Sequence, residues 1–154
     1  MPTATELDIP ALAARLRLGV TRLARRLRQE AGAGITPSML SALSAAERQG
    51  SLTMRDLCQA EQVQPPTMTR IVAALVEAGL VEREADPTDG RVARVTVTPE
   101  GRRLLERSRQ RKEAYLAKAL GSLEQDELRT LEDATGILEH LTDAPPASRR
   151  GAPS

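Results

Sequence analysis

From Pro10 onward, apolar residues recur at Leu12, Leu16, Val20, Leu23 and Leu27, in steps of four and three. That spacing lines one face of a helix. It predicts a first helix within residues 9–34, closing near Gly32–Gly34, after a frayed, disordered start over residues 1–8. Thr36-Pro37 then opens a second helix, a hydroxyl cap followed by proline at the first helical position. Its inward face is Met39, Leu40, Leu43 and Ala46, and Gly50 ends it. Ser51-Leu52 is long enough for a very short strand. Thr53, with Asp56 three residues on, is close to a capping box for a third helix that turns Met54, Leu57 and Cys58 inward. Cys58 among those neighbours reads as a buried, inert thiol.

A tight turn at Glu61-Gln62-Val63 leads to Pro65-Pro66, tolerated only in a first helical turn. Behind them Met68, Ile71, Val72, Leu75 and Val76 form a buried side, and Gly79 is the left-handed terminator. Gln64, Thr67, Thr69, Arg70, Ala73 and Ala74 are left facing outward. The period then changes from helical to alternating. Leu80–Glu84 and Val92–Thr98 read as two strands around a polar loop with Asp-Pro and Asp-Gly turn signals. Two helices joined by a tight turn and followed at once by a hairpin make a winged helix-turn-helix, so the fold class is mainly α with a small β wing.

Thr98-Pro99 starts a fifth helix, anchored by Leu104 and Leu105 and wholly polar from Glu106 to Glu113, as in a helix that bridges two packed regions. Apolar residues return at Ala114, Tyr115, Leu116, Ala119 and Leu120 before Gly121 breaks it. Ser122 with Gln125 reads as the capping box of a sixth helix, whose apolar positions are Leu128, Leu131, Ala134, Thr135, Leu138 and Leu141. The expected organisation is helix one at 9–34, a winged unit at 35–99, helices five and six at 100–142, and a disordered Pro/Ala/Ser/Arg-rich tail at 143–154. Helices one, five and six each carry a stripe that needs a partner, within the chain or across a dimer.

Composition narrows the function. The chain has 154 residues and net charge +1, so no overall positive field announces a nucleic-acid partner. Residues 10–29 hold six arginines and no acid; residues 51–99 hold five arginines against seven acids, a net of −2. With no Phe, no Trp and only Tyr115, the base-stacking platforms of single-strand binders are excluded. One cysteine and one histidine make neither an internal disulfide nor a Cys/His metal site. No run is long and apolar enough to span a membrane, and a cytoplasmic setting is expected.

In a helix-turn-helix the second helix enters the major groove with its N-terminal residues on the base edges. Here those are small and hydroxyl-bearing, with Arg70 able to reach guanine or phosphate. Arg91 near the wing tip suits the minor groove, and Asp89 two residues earlier is placed to hold it extended. The candidate DNA contacts are Gln64, Pro66, Thr67, Thr69, Arg70, Asp89 and Arg91. The rival is a winged helix used as a protein-interaction module without specific DNA binding, which the −2 charge favours.

From about Leu12 to Leu141 the chain resembles the MarR family of bacterial transcriptional regulators. The resemblance is carried by Pro66-Thr67-Met68-Thr69-Arg70, Leu75-Val76-Glu77-Ala78-Gly79-Leu80-Val81, Asp86-Pro87-Thr88-Asp89-Gly90-Arg91 and Val95-Thr96-Val97-Thr98-Pro99-Glu100-Gly101. It implies a homodimer on double-stranded DNA, a repressor or activator, with the recognition helix at Pro65–Ala78, Asp89 and Arg91 as the wing pair, and a dimer built by the first and last helices. It also implies a small-molecule effector, often phenolic, in the crevice between the dimer region and the winged domain. A lining of Leu, Val and Met leaves an aliphatic effector or none open, and the ligand residues unassigned. Oxidant sensing through a cysteine of the first helix does not carry over, because that helix has none. No Gly-rich phosphate loop, nucleophile pair or paired carboxylates point to an enzyme, no cofactor or metal is called for, and His140 lies in the last turn of the sixth helix, where the dipole favours a basic residue.

Overall fold

The structure, a computed structural model, describes residues 7–32 and 34–143. The elements are α1 (Ile9–Glu30), α2 (Pro37–Gln49), β1 (Ser51–Thr53), α3 (Met54–Glu61), α4 (Pro65–Glu77), β2 (Val81–Ala85), β3 (Ala93–Val97), α5 (Pro99–Leu120) and α6 (Gln125–Asp143). The chain forms two compact units, one running to Tyr115 and one from Leu116 onward, with the boundary inside α5.

Side-chain caps set most helix starts in the first unit. Thr36 Oγ1 accepts from the Met39 N–H at 3.2 Å. Thr53 and Asp56 exchange a full capping box, at 3.1 Å and 3.0 Å. Asp8, expected in the frayed start, instead caps α1 by accepting from the Ala11 N–H at 3.1 Å. The disorder expected at residues 1–6 and 144–154 lies outside the described residues, and α6 continues through Asp143. Gln62 takes the left-handed conformation (φ 53°) that lets the chain leave α3 and enter α4 at once.

The three strands form an antiparallel sheet in the order β1-β3-β2. β2 and β3 pair from Val81 opposite Val97 to Ala85 opposite Ala93, one residue later at their start than expected for β2. Val81, Val95 and Val97 close the core from the sheet side. Leu43, Leu57, Met68, Val72 and Leu75 fill it from the helices. α2 is buried on more of its circumference than the stripe predicted, because Ala42 and Ala45 are also enclosed. Two expectations fail on the other side. Val76 is 40 % exposed, since the buried arc of α4 is narrower than five residues. Cys58 is only half-buried, because α3 is short and its end opens onto a surface hollow.

α5 is fastened to the winged unit by backbone as well as side chains. Thr98 Oγ1 donates to the Gly79 carbonyl at 2.7 Å and accepts from the Gly101 N–H at 3.1 Å. Gly101 is buried against β3 and the end of α4; a Cβ there would strike the Leu80 carbonyl oxygen and come within 2.8 Å of Val97 Cγ1. The middle of α5, expected to have nothing to bury, encloses Ser108. Its arginines are also engaged: Arg109 pairs with Glu47 of α2, and Arg111 donates to the Ala31 carbonyl (3.2 Å) and the Gly32 carbonyl at the end of α1. At the junction of α5 with α1, the Arg26 guanidinium lies 5.3 Å from the centre of the Tyr115 ring.

α1 buries none of its residues. Leu12, Leu16, Val20 and Leu23 stay 41–48 % exposed. In the second unit α6 likewise buries none, leaving Leu131, Ile137, Leu138 and Leu141 exposed. Its predicted Ser122/Gln125 box does not form. The Ser122 hydroxyl donates back to the Ala119 carbonyl at 2.7 Å, and the Glu127 carboxylate accepts from the Glu124 N–H at 3.0 Å, so the helix starts two residues later than that box requires.

Candidate nucleic-acid interface

α4 presents an outward face because its other face is pinned. Met68, Val72 and Leu75 are fully enclosed, whereas Gln64, Pro66, Thr67, Thr69, Arg70 and Ala73 are exposed, and Ala74 is half-buried. Gln64 occupies the N-cap position without spending its side chain on the cap. Pro65 and Pro66 have no N–H, and the Thr67 and Met68 N–H groups both turn back to the Gln64 carbonyl at 3.0 and 3.1 Å. The start of α4 therefore offers no spare backbone donor of the kind that holds anions at other helix N-termini. Hydrogen-bonding capacity at this helix start is therefore carried by side chains. The Thr69 hydroxyl donates to the Pro65 carbonyl at 2.9 Å, so its oxygen keeps lone pairs able to accept. A threonine oxygen in this state can accept from an amino group such as those on base edges. Arg70 has no ion-pair partner among the described residues.

The wing is built around Asp86, which in the sequence stands out only as a turn signal. Asp86 Oδ1 accepts from the Thr88 hydroxyl (2.6 Å), the Thr88 N–H (2.8 Å) and the Asp89 N–H (3.1 Å). Its other oxygen accepts from Arg94 Nε, and Arg94 Nη1 continues to the Ser51 carbonyl at 3.3 Å, so the loop is tied across β3 to β1. The Thr88 hydroxyl first, and then Arg94, hold the Asp86 carboxyl well below its ordinary value of 3.8. At the tip Asp89 Oδ1 accepts from both the Arg91 N–H (3.1 Å) and Arg91 Nε (3.2 Å). The Arg91 side chain is 92 % exposed, and among the described residues only its Nε is engaged in an ion pair.

Two further cations stand beside α4 and were not singled out from sequence. Arg83 pairs with Val95 across the ladder, so it shares the sheet face of Val81 and Val97 that covers the helices. Past the edge of the core it lines a hollow of about 710 Å³ together with Arg55 and Cys58 of α3, Gln62 and Gln64 of the turn, and Thr69. Among the described residues that line this hollow, Arg55 and Arg83 are the charged ones and none is an acid. The net charge of −2 over residues 51–99 hides this local sign.

A second hollow, of about 470 Å³, lies between the end of α1, α2 and α5. Its apolar wall is Ala31, Ile35, Pro37 and Leu40, and Arg28, Arg48 and Lys112 supply its charge. Among the described residues no group of His, Cys, Asp and Glu is arranged to hold a metal ion, and no helix is long and apolar enough to cross a membrane.

The sequence model of the MarR family matches residues 33–92. A helix-turn-helix-type transcriptional regulator of Mycobacterium leprae is 37 % identical over 136 residues, which is 88 % of this chain and 95 % of that protein. The crystal structure of a transcriptional regulator from Pseudomonas aeruginosa superposes with a TM-score of 0.78 at 34 % identity, covering 94 % of this chain and all of the other. The transcriptional repressor MdtR of Bacillus subtilis is 27 % identical over 120 residues, 77 % of either chain.

Proposed function

The chain belongs to the MarR family of winged-helix transcriptional regulators, and from that membership we propose that it binds a pseudo-palindromic double-stranded operator as a homodimer and represses transcription there. The observation that carries this reading is the face of α4. Gln64, Pro66, Thr67, Thr69 and Arg70 project from a helix pinned by Met68, Val72 and Leu75, on the same small unit that braces Arg91 with Asp89. Two such units on one duplex would read successive major grooves, with half-sites about 10 bp apart.

The dimer is supported by helices that bury nothing in the single chain. α1 carries an exposed apolar stripe and six arginines against Glu30, 6 − 1 = +5. α6 carries another, with six acids against Arg129, 1 − 6 = −5. Opposite charge of equal size favours pairing α1 of one copy with α6 of its partner over pairing either with itself. Repression follows the relative named as a repressor, and it needs only that the bound dimer occupy a promoter. Release by a small-molecule effector fits the hollow beside Arg28, Arg48 and Lys112, whose cations suit a compact anion. Such a protein works in the cytoplasm, where its DNA is.

The test is selection of bound fragments from genomic DNA, followed by footprinting and a salt series on the selected site. Paired half-sites and a steep loss of affinity with salt are expected. A monomer on one half-site overturns the dimeric version. Salt-independent binding, or no enriched duplex, would favour the protein-interaction reading instead.

A further inference from the structure

The hollow between α3, the α3–α4 turn and β2 has a composition that the base-reading role of α4 does not use. Its two charged residues are Arg55 and Arg83, from different elements, with glutamine amides and the Thr69 hydroxyl around them. Neither arginine has an ion-pair partner among the described residues. Burial does not explain Arg83: it continues the core-facing row of β2 yet is exposed, where an apolar residue would extend the core. The start of α4 has no backbone N–H left for an anion, because two prolines stand there and the next two donors are spent on the Gln64 carbonyl. A helix laid into a groove runs between two phosphate backbones, and its depth is set by contacts to them.

We propose that Arg55 and Arg83 together hold one phosphate of the DNA backbone in this hollow, and so fix how deeply the start of α4 enters the major groove. The assignment rests on the DNA-binding reading above. Two guanidinium groups converging on one anion give charge-assisted hydrogen bonds that a single surface arginine does not. The contact is blind to sequence: it sets register, while Gln64, Thr67, Thr69 and Arg70 meet the bases. Cys58, which is only half-buried, also lines this hollow.

The experiment uses the full chain and the duplex selected from genomic DNA. Affinity is measured over a salt series for the wild type, Arg55→Ala, Arg83→Ala and the double variant, on the selected duplex and on a scrambled one. Neutralising one phosphate contact lowers the slope of log affinity against log salt by about 0.9, so the affinity lost between 0.05 and 0.2 M salt shrinks by about 3.5-fold. Because both arginines serve one phosphate, the double variant should lose about that much and not twice it, equally on both duplexes. A scan of single neutral methylphosphonates along each strand should find one position per half-site that weakens the wild type and leaves the double variant unaffected. An unchanged slope in the double variant, or a methylphosphonate profile identical to that of the wild type, overturns the proposal. Wild-type protein that shows no salt-dependent binding to any duplex defeats the DNA-binding reading itself, a separate result. Both arginines are exposed, so unchanged thermal unfolding of the variants is the expected control.

Discussion

Asp86, at the base of the wing, accepts a hydrogen bond from Arg94 on the neighbouring strand while its other oxygen gathers the Thr88 hydroxyl and two backbone N–H groups. One carboxylate thereby shapes the loop that carries Asp89 and Arg91. Its pKa is held far below 3.8 by those donors, and the Asp56 and Glu100 carboxyls are also lowered, by hydrogen bonds from Thr53 and from Arg103. A carboxyl depressed in the folded state contributes stability that is present above its unfolded value and lost as pH falls through its folded value. The denaturation midpoint should therefore hold from pH 7 to about pH 4.5 and decline below that. Asp86→Asn should be less stable at neutral pH and show a shallower acid decline. An acid limb identical to that of the wild type would remove Asp86 from this account.

Arg91→Ala should weaken operator binding by about 1–3 kcal/mol with the fold intact, as for a groove-inserted arginine. Asp89→Ala should weaken it less, by loosening Arg91 without removing it. Titration of both variants against the selected duplex decides the point. A larger effect at Asp89 would contradict the roles assigned to the pair.

Gly101→Ala should destabilise the winged unit by about 1–3 kcal/mol, since the new methyl meets the Leu80 carbonyl and Val97 with no flexible chain end to yield. Urea unfolding should show a lower midpoint with an unaltered slope. A midpoint equal to the wild type's would mean that α5 can slide from β3 at no cost.

Thr53→Ala removes the hydroxyl half of the capping box and should cost about 1 kcal/mol. Asp56→Ala, which removes the reciprocal half, should cost a comparable amount. Thermal unfolding of both, and of the double variant, tests whether the two halves act as one unit. Strictly additive losses would argue that they do not.

Leu16→Asp places a charge in the exposed stripe of α1, which buries no residue of its own chain. Sedimentation should show a monomer whose winged unit melts like that of the wild type, with affinity lost for paired half-sites. A variant that stays dimeric would place the subunit contact elsewhere.

The winged unit was largely legible in the sequence because its signals are local. Thr36-Pro37, Thr53 with Asp56, the proline pair and Gly79 each act within four residues, and each sits where it was expected. What escaped depends on chain segments far apart. Arg83 joins Arg55 only through strand register, and Arg94 reaches Ser51 across β3. Arg109 and Arg111, in a stretch that looked merely solvated, find Glu47 and the end of α1 some 60 to 80 residues away. The Ser122 cap failed for a different reason: the preceding helix had an open carbonyl for its hydroxyl, and a local competitor won. Asp86 was visible as an Asp-Pro-Thr turn, but its burial was not.

Tyr115, beneath Arg26 at the meeting of α1 and α5, is the single aromatic side chain in a protein with no Phe and no Trp. Its near-ultraviolet signal therefore comes from one address. Any change in the protein's near-ultraviolet dichroism or intrinsic fluorescence is a report from that residue, readable without a label and without assignment.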